Sequence, residues 1–199
     1  MPSGNKKQDM EAMATQAQRM IRAADRASLA TALREQPDAP ADKGWPYVSF
    51  VLSACDHDGA PLLLLSDLAD HSRNIRDDNR VSLLFSHEGK PGNNREEGPM
   101  KTGTEENFQM DPLSRPRLSL LGRLKEDPDP HSRECFLARH PASAKYAGFG
   151  DFRIYRLHPL RGRLVAEFGR VAWIEADHLL YGGGNAANCE NAKPPSASI

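Results

Sequence analysis

The chain has little net charge and no basic stripe interleaved with aromatic residues. Its 199 residues carry 26 Lys and Arg against 27 Asp and Glu, and aromatic residues make up 7%. A charge so close to neutral creates no global field that would gather nucleic acid or an anionic membrane. We therefore expect neither nucleic acid nor a membrane as a partner, and any charged ligand must be recognised locally.

The chain also lacks cysteine pairs and closely spaced metal ligands. Cys55, Cys135 and Cys189 are odd in number and widely separated, unlike a secreted disulfide scaffold or a zinc motif. The seven histidines are scattered without a short ligand spacing. The sequence thus predicts a reducing compartment and no metal site.

Long hydrophobic runs are missing as well. The longest aliphatic run, Leu62–Leu65, is far too short to cross a bilayer, and the first ten residues lead into no apolar signal core. We expect a cytoplasmic protein with a single main domain.

Apolar periodicity predicts the elements of that domain. A three-and-four spacing predicts a helix over Glu11–Gln36, which Pro37 ends. Alternation predicts a strand over Tyr47–Ala54, and the turn at Asp56–Gly59 predicts that Pro61–Leu65 returns antiparallel to it. The further predicted elements are a helix over Asp70–Asn79, strands over Val81–Phe85 and Arg117–Leu124, a helix over Arg133–Tyr146 interrupted near His140, and strands over Phe152–Leu157 and Arg163–Phe168.

Many strands joined by tight turns, with few helices, are typical of an antiparallel barrel. We expect a helical extension over residues 1–40 and the barrel over 41–181. The residues 87–115 have hardly any apolar character and are predicted to form a flexible insertion, able to close as a flap. Residues 182–199 have the composition of a disordered tail.

The most informative motif lies where the leucine-rich strand runs into the next helix. Ser66, Ser72, Arg73 and Asn74 supply two hydroxyls, a guanidinium and an amide at one corner, which suits a phosphate group. The same residue types also cap ordinary helices. The motif alone leaves both interpretations open.

Several ordered blocks resemble the pyridoxamine 5'-phosphate oxidase-like split-barrel flavoproteins. These blocks are Pro46–Val51, Ser66–Ile75, Asn79–Phe85 and Arg117–Leu124. Three later blocks resemble the haem-utilisation and general-stress branch of that superfamily, namely Ala147–Phe152, Tyr155–Leu157 and Phe168–Ile174. The resemblance implies a mainly β fold, a six-stranded antiparallel split barrel that forms a homodimer with an FMN at each of two interface sites.

The resemblance also implies a role for individual residues. It places Tyr47, Val48 and Ser49 along the flavin ring and ribityl chain, and Ser66 at the start of the segment that wraps the phosphate. The phosphate run of the family matches Ser72, Arg73 and Asn74, with Asn74 standing where the family has lysine. Arg73 would then carry more of the phosphate charge.

Two further positions match cofactor contacts of the family. Arg117 matches a polar ligand of the flavin, and Trp173 matches an aromatic residue that reaches the flavin from the second subunit. From the residues alone, Arg117 could equally lie at a sheet edge with its charge in water, and Trp173 could belong to the core.

The function implied is that of an FMN-dependent oxidoreductase with an unknown small-molecule substrate, in which the flavin performs the redox chemistry. The sequence assigns no catalytic residue. One alternative is a haem-binding or haem-degrading protein on the same barrel, although Ala172 stands where several haem-branch relatives carry histidine before the tryptophan. Another is a non-enzymatic flavin sensor or carrier.

Overall fold

The computed structural model describes residues 3–86, 115–167 and 169–181, which form one curled antiparallel sheet flanked by helices. The strands are β1 (Arg26–Ala32), β2 (Pro46–Leu52), β3 (Ala54–Cys55), β4 (Pro61–Ser66), β5 (Arg80–Ser86), β6 (Arg117–Glu126), β7 (Phe152–Glu167) and β8 (Arg170–Glu175). The helices are α1 (Ser3–Ala23), α2 (Asp70–Asp77), α3 (Pro130–Arg139), α4 (Ala144–Ala147) and α5 (Ala176–Leu179). Short 3-10 turns cover Pro40–Asp42 and Pro141–Ser143.

The sheet is closed by the chain itself at Ser53. The strand order is β2-β1-β5-β6-β7-β4-β3, with β8 paired to β7. The two end strands, β2 and β3, are separated by Ser53 alone. Ser53 is fully buried, its N–H donates to the Asp25 carbonyl at 3.0 Å, and its carbonyl accepts from His140 Nε2 at 2.9 Å. Through this residue the chain passes from one end of the sheet to the other, which bends the sheet into a barrel.

Two apolar clusters hold the sheet and helices together. The larger one fills the concave side of the sheet and packs against α1, with Ile21, Leu29, Leu83, Leu120 and Leu164 each at most 1% exposed. The smaller one lies on the opposite side of β4, where Leu62 and Leu64 contact residues of α3 and α4. Because β4 is covered on both sides, its sequence reads as a continuous leucine run instead of alternating.

The helix predicted over Glu11–Gln36 is correct only in its first half. The helix ends at Ala23, and Arg26–Ala32 form β1, which lies within the sheet between β2 and β5. Ala27 and Leu29 alternate inward on β1 and are buried. Small residues fit either secondary structure, so tertiary pairing decides the outcome. The sheet therefore begins before residue 41.

The C-terminal strands also differ from the prediction. The two strands expected over 152–157 and 163–168 are one continuous β7, and β8 was not predicted as a strand. Pro159 does not break β7 because the β6–β7 register shifts beside it, between Leu121 and Gly122. A Cβ at Gly122 would collide with the His158 carbonyl oxygen. The mainly β, split-barrel class is confirmed, with eight strands in the described residues where six were expected.

Other local predictions are confirmed. The turn after β3 contains Gly59 at φ 90°, and β3 pairs antiparallel with β4. The body of the predicted strand, β2, instead pairs with β1. The helix after Arg133 is interrupted at His140, as expected. The predicted flexible insertion lies outside the described residues apart from Arg115, and the predicted tail lies wholly outside them. Among the described helices, none has both the length and the apolar character needed to span a membrane.

We predict that His140→Ala destabilises the fold by about 1–3 kcal/mol, because it leaves the buried Ser53 carbonyl without its imidazole donor. It also removes a ring contact with Phe136, whose centroid lies 4.9 Å away. Urea unfolding followed by circular dichroism measures the change. His178→Ala, at a half-exposed position on α5, is the matched control. Equal midpoints for the two variants would show that the Ser53 junction does not depend on His140.

Candidate functional site

The corner between β4 and α2 is held together by its own side chains. The Ser66 hydroxyl donates to Asp151 at 2.6 Å and accepts from the Leu68 N–H at 3.1 Å. Asp67 accepts from Arg76 and Arg153. Ser66 and Asp67 therefore stabilise the corner internally.

Asn74 has a structural position that sequence reasoning did not foresee. It is fully buried, its amide donates to Thr31 Oγ1 at 3.0 Å, and its carbonyl accepts from the Arg34 N–H at 3.0 Å. These bonds tie α2 to the end of β1. The Asn74 side chain is thus bonded within the protein, and its predicted contact with a phosphate stays a prediction.

Ser72 and Arg73 point to different environments. Ser72 is fully buried, and its hydroxyl has no hydrogen-bond partner among the described residues. Arg73 is 43% exposed and lies 3.6 Å from Asp70, in a surface ion pair of the kind that contributes little to stability. Arg73 is thus the residue of the predicted phosphate set that offers a charge to solvent.

His71 links α2 to β2. Its Nδ1 lies 3.2 Å from the Ser49 hydroxyl. Burial lowers the pKa of His71 below its ordinary value, against the opposing effect of Asp70. The imidazole is therefore neutral at pH 7, and it contributes no positive charge to this corner.

The predicted residues of β2 divide between the two faces of the sheet. Val48 is 63% exposed on the convex face, which we call the outer face, whereas Tyr47 and Ser49 alternate to the other side. The resemblance implies contacts of the flavin with β2 largely through backbone groups, so the contact with Tyr47, Val48 and Ser49 stays a prediction.

On the outer face, one row of residues that pair across neighbouring strands runs over six strands. Strand pairing aligns Trp173, Arg163, Ser119, Leu84, Ser28 and Phe50. Among these, Phe50 is 67% exposed, Trp173 41% and Leu84 39%. The face is therefore accessible and partly apolar.

Trp173 is flanked by two arginines. The Arg161 and Arg163 guanidinium carbons lie 4.4 and 5.3 Å from its ring centroid. Arg117 pairs with Val165 in the next row of the same face and is half-buried. We call Val48, Phe50, Leu84, Arg161, Arg163 and Trp173 the platform. Apolar surface beside guanidinium groups suits a flat ligand that carries anionic groups at its edge.

Arg161 and Arg163 were missed by sequence reasoning. They were missed because residues 158–162 were not expected to be strand, so Arg161 had no assigned face. The available signal was the Arg-x-Arg alternation of residues 161–163, which places both side chains on one face of any strand.

The comparisons with known proteins assign the chain to one family. The family model described as "CREG, beta-barrel" matches residues 8–181. Over 124 residues the chain is 29% identical to the chloroplastic non-canonical heme oxygenase HOZ of Arabidopsis thaliana, covering 62% of this chain and 33% of that protein. The chain thus spans about a third of the curated relative's length.

Two solved structures share the fold. A heme-binding protein from Mycobacterium smegmatis superimposes with a TM-score of 0.66 at 25% identity, covering 84% of this chain and 59% of that one. A protein from Clostridium acetobutylicum, related to general stress protein 26 and of the pyridoxinephosphate oxidase family, gives 0.55 at 13% identity, covering 85% and 98%. The second similarity concerns the fold alone. The resemblance to oxidase-like split barrels is confirmed.

We predict that Asn74→Ala lowers the free energy of unfolding by about 1–3 kcal/mol, because it leaves the Thr31 hydroxyl and the Arg34 N–H without their partner. Urea unfolding measures this loss. Arg73→Ala, next to it on the exposed side of α2, is the control and should leave the midpoint nearly unchanged. An Asn74→Ala protein of unaltered stability would contradict the structural role.

Proposed function

The chain belongs to the CREG β-barrel family, and we propose that it is a member that binds haem, either as cargo or as the substrate of a haem oxygenase-type reaction. The arrangement of Trp173 between Arg161 and Arg163 on an exposed sheet face carries the proposal. Support also comes from the two similar proteins at 25–29% identity whose names refer to haem.

The chemistry of the platform fits haem. Haem is a flat apolar macrocycle with two carboxylates on one edge. Trp173 and Leu84 offer surface against which such a ring packs, and Arg161 and Arg163 offer paired donors to carboxylates. Glu175, opposite Arg161 in the register, is the single acidic residue on this part of β8. The platform together with Glu175 therefore carries a net positive charge.

In this arrangement the protein binds and orients the ligand. Trp173 would pack against the ring, and Arg161 and Arg163 would bind its carboxylates. Haem iron would supply the oxygen chemistry of a degradation reaction.

FMN binding is the second candidate, and one observation favours it. The Ser72 hydroxyl is buried without a described partner beside Arg73, and a phosphate could accept from both. Ser66 and Asn74, however, already bond within the protein. An FMN protein of this kind would be an oxidoreductase of unknown substrate or a flavin sensor or carrier.

We further infer that the protein is a homodimer through the outer face. Val48 and Phe50 are each more than 60% exposed on this face, and Leu84 lies in the same row as Phe50. Large apolar side chains in one contiguous patch are typical of a protein interface. A two-fold dimer would place the same platform on both copies, with a ligand held between them.

We predict that the protein binds haem with a Soret band and that replacing Arg161 and Arg163 together by alanine weakens binding by about tenfold or more, through loss of the carboxylate donors. Titration followed by absorbance gives the Kd. Arg170→Ala, an exposed arginine of β8 paired with Asp9, is the matched control.

The same titration with FMN separates the two candidates. Tight FMN binding that Arg73→Ala weakens, together with weak haem binding, would overturn the haem proposal in favour of the flavin one. Haem binding that the double variant does not alter would remove the platform from the site.

For the dimer, we predict that Phe50→Lys dissociates the protein in sedimentation experiments, because it places a charge in the apolar interface. Leu68→Lys is the control, since Leu68 is 70% exposed but lies in the corner before α2. A wild-type monomer at micromolar concentration would refute this interface.

A further inference from the structure

Histidine, cysteine and aspartate side chains from distant parts of the chain meet at the turn after β3. Asp56 and His57 lie in this turn, and His131 and Cys135 lie one helical turn apart on α3. Asp56, His57 and His131 offer ligand atoms that all lie within 4.8 Å of one another. The sequence does not indicate this cluster, because its members are far apart along the chain. Only the fold brings α3 to the turn.

The donor atoms of Asp56, His57 and His131 lie close enough together to surround one ion, and Cys135 lies beside His131. Asp56 Oδ1 lies 2.8 Å from His57 Nδ1 and 4.0 Å from His131 Nε2, and His131 Nε2 lies 3.5 Å from Cys135 Sγ. Donor atoms around a four-coordinate zinc stand about 3.3–3.8 Å apart, given the usual zinc–ligand bond lengths. Binding of one ion by all four residues would require the Cys135 side chain to move toward Asp56 and His57, whose ligand atoms already cluster with that of His131.

The position of Asp56 favours binding over chance proximity. Its side chain is only 4% exposed, its Oδ2 pairs with Arg156, and its Oδ1 accepts from the His57 backbone N–H at 2.7 Å and lies beside both imidazoles. Arg156 also pairs with Asp58. An ion pair of this kind holds a metal-binding carboxylate in a fixed orientation. The two histidines are about half-exposed, which gives an ion a path of entry.

The charges balance for a divalent ion. Asp56 and Asp58 carry two negative charges against one positive charge on Arg156, and a Cys135 thiolate would add another negative charge. A divalent cation neutralises the remaining negative charge. It also replaces the proton of the Cys135 thiol and the proton shared between His57 Nδ1 and Asp56 Oδ1. Two nitrogens, one sulfur and one oxygen suit zinc, whereas magnesium and calcium prefer oxygen alone.

We propose that Asp56, His57, His131 and Cys135 form a zinc-binding site that joins the β3–β4 turn to α3. The site lies apart from the platform and does not depend on haem or FMN. Zinc bound there would stabilise the attachment of α3, which covers the outer side of β4 and carries His140, the donor to Ser53.

The test uses the full chain, freed of metal with a chelator and titrated with zinc against a chromophoric competitor. We expect one zinc per chain and a higher Tm for the loaded protein. His131→Ala should weaken zinc binding by about 100-fold or more, since loss of even an outer-shell partner costs about 10–100-fold. His178→Ala, which removes a half-exposed histidine on α5, should bind zinc like the wild type.

Cobalt substitution tests the sulfur ligand. The cobalt-loaded protein should show a thiolate-to-cobalt charge-transfer band that Cys135→Ser abolishes. Circular dichroism of the metal-free variants verifies that they fold, and His57→Ala replaces His131→Ala if the latter does not. Absence of saturable binding, equal loss in His178→Ala, or a cobalt spectrum without the thiolate band would each overturn the proposed site.

Discussion

The passage of the chain through Ser53 determines the shape of the barrel. Because β2 and β3 are consecutive yet lie at opposite ends of the strand order, the sheet must curl until its ends meet. A buried backbone group at such a junction requires a partner, and Asp25 and His140 supply one on each side of Ser53. The helices follow from this curvature, since α1 covers the concave side and α3 covers β4 from outside.

Among the described elements, α3 and α4 cover the outside of the sheet at β4, and no described helix covers the row of Phe50, Leu84 and Trp173. Strand alternation directs leucines inward and sends Phe50, Leu84 and Trp173 outward. In most two-layer folds a second layer would bury such residues. Here Trp173 stands beside two arginines, and under the proposed function this surface would hold a ligand and a second copy of the chain.

The sequence predicted what depends on neighbouring residues. The turn at Gly59 and the break at His140 are local signals, and both were read correctly. The position of β1 was missed because its small residues carry no strong preference, and only pairing with β5 selects a strand. The residue pattern located α2, but neither it nor the family resemblance could show that the Asn74 side chain bonds to Thr31 and Arg34, because those partners lie more than thirty-five positions away. Likewise, no spacing of residues in the sequence indicates that His131 lies close to Asp56.

The pairing of β4 with β7 also bears on synthesis of the protein. Asp56 and Arg156, which pair beside this seam, lie 100 positions apart, so the ribosome releases the leucine strand long before its partner exists. Until then Leu62–Leu65 expose an apolar strand with an unsatisfied edge, the kind of segment that associates with other chains. Slower elongation before residue 156 emerges would therefore lengthen the time in which this strand can associate with other chains.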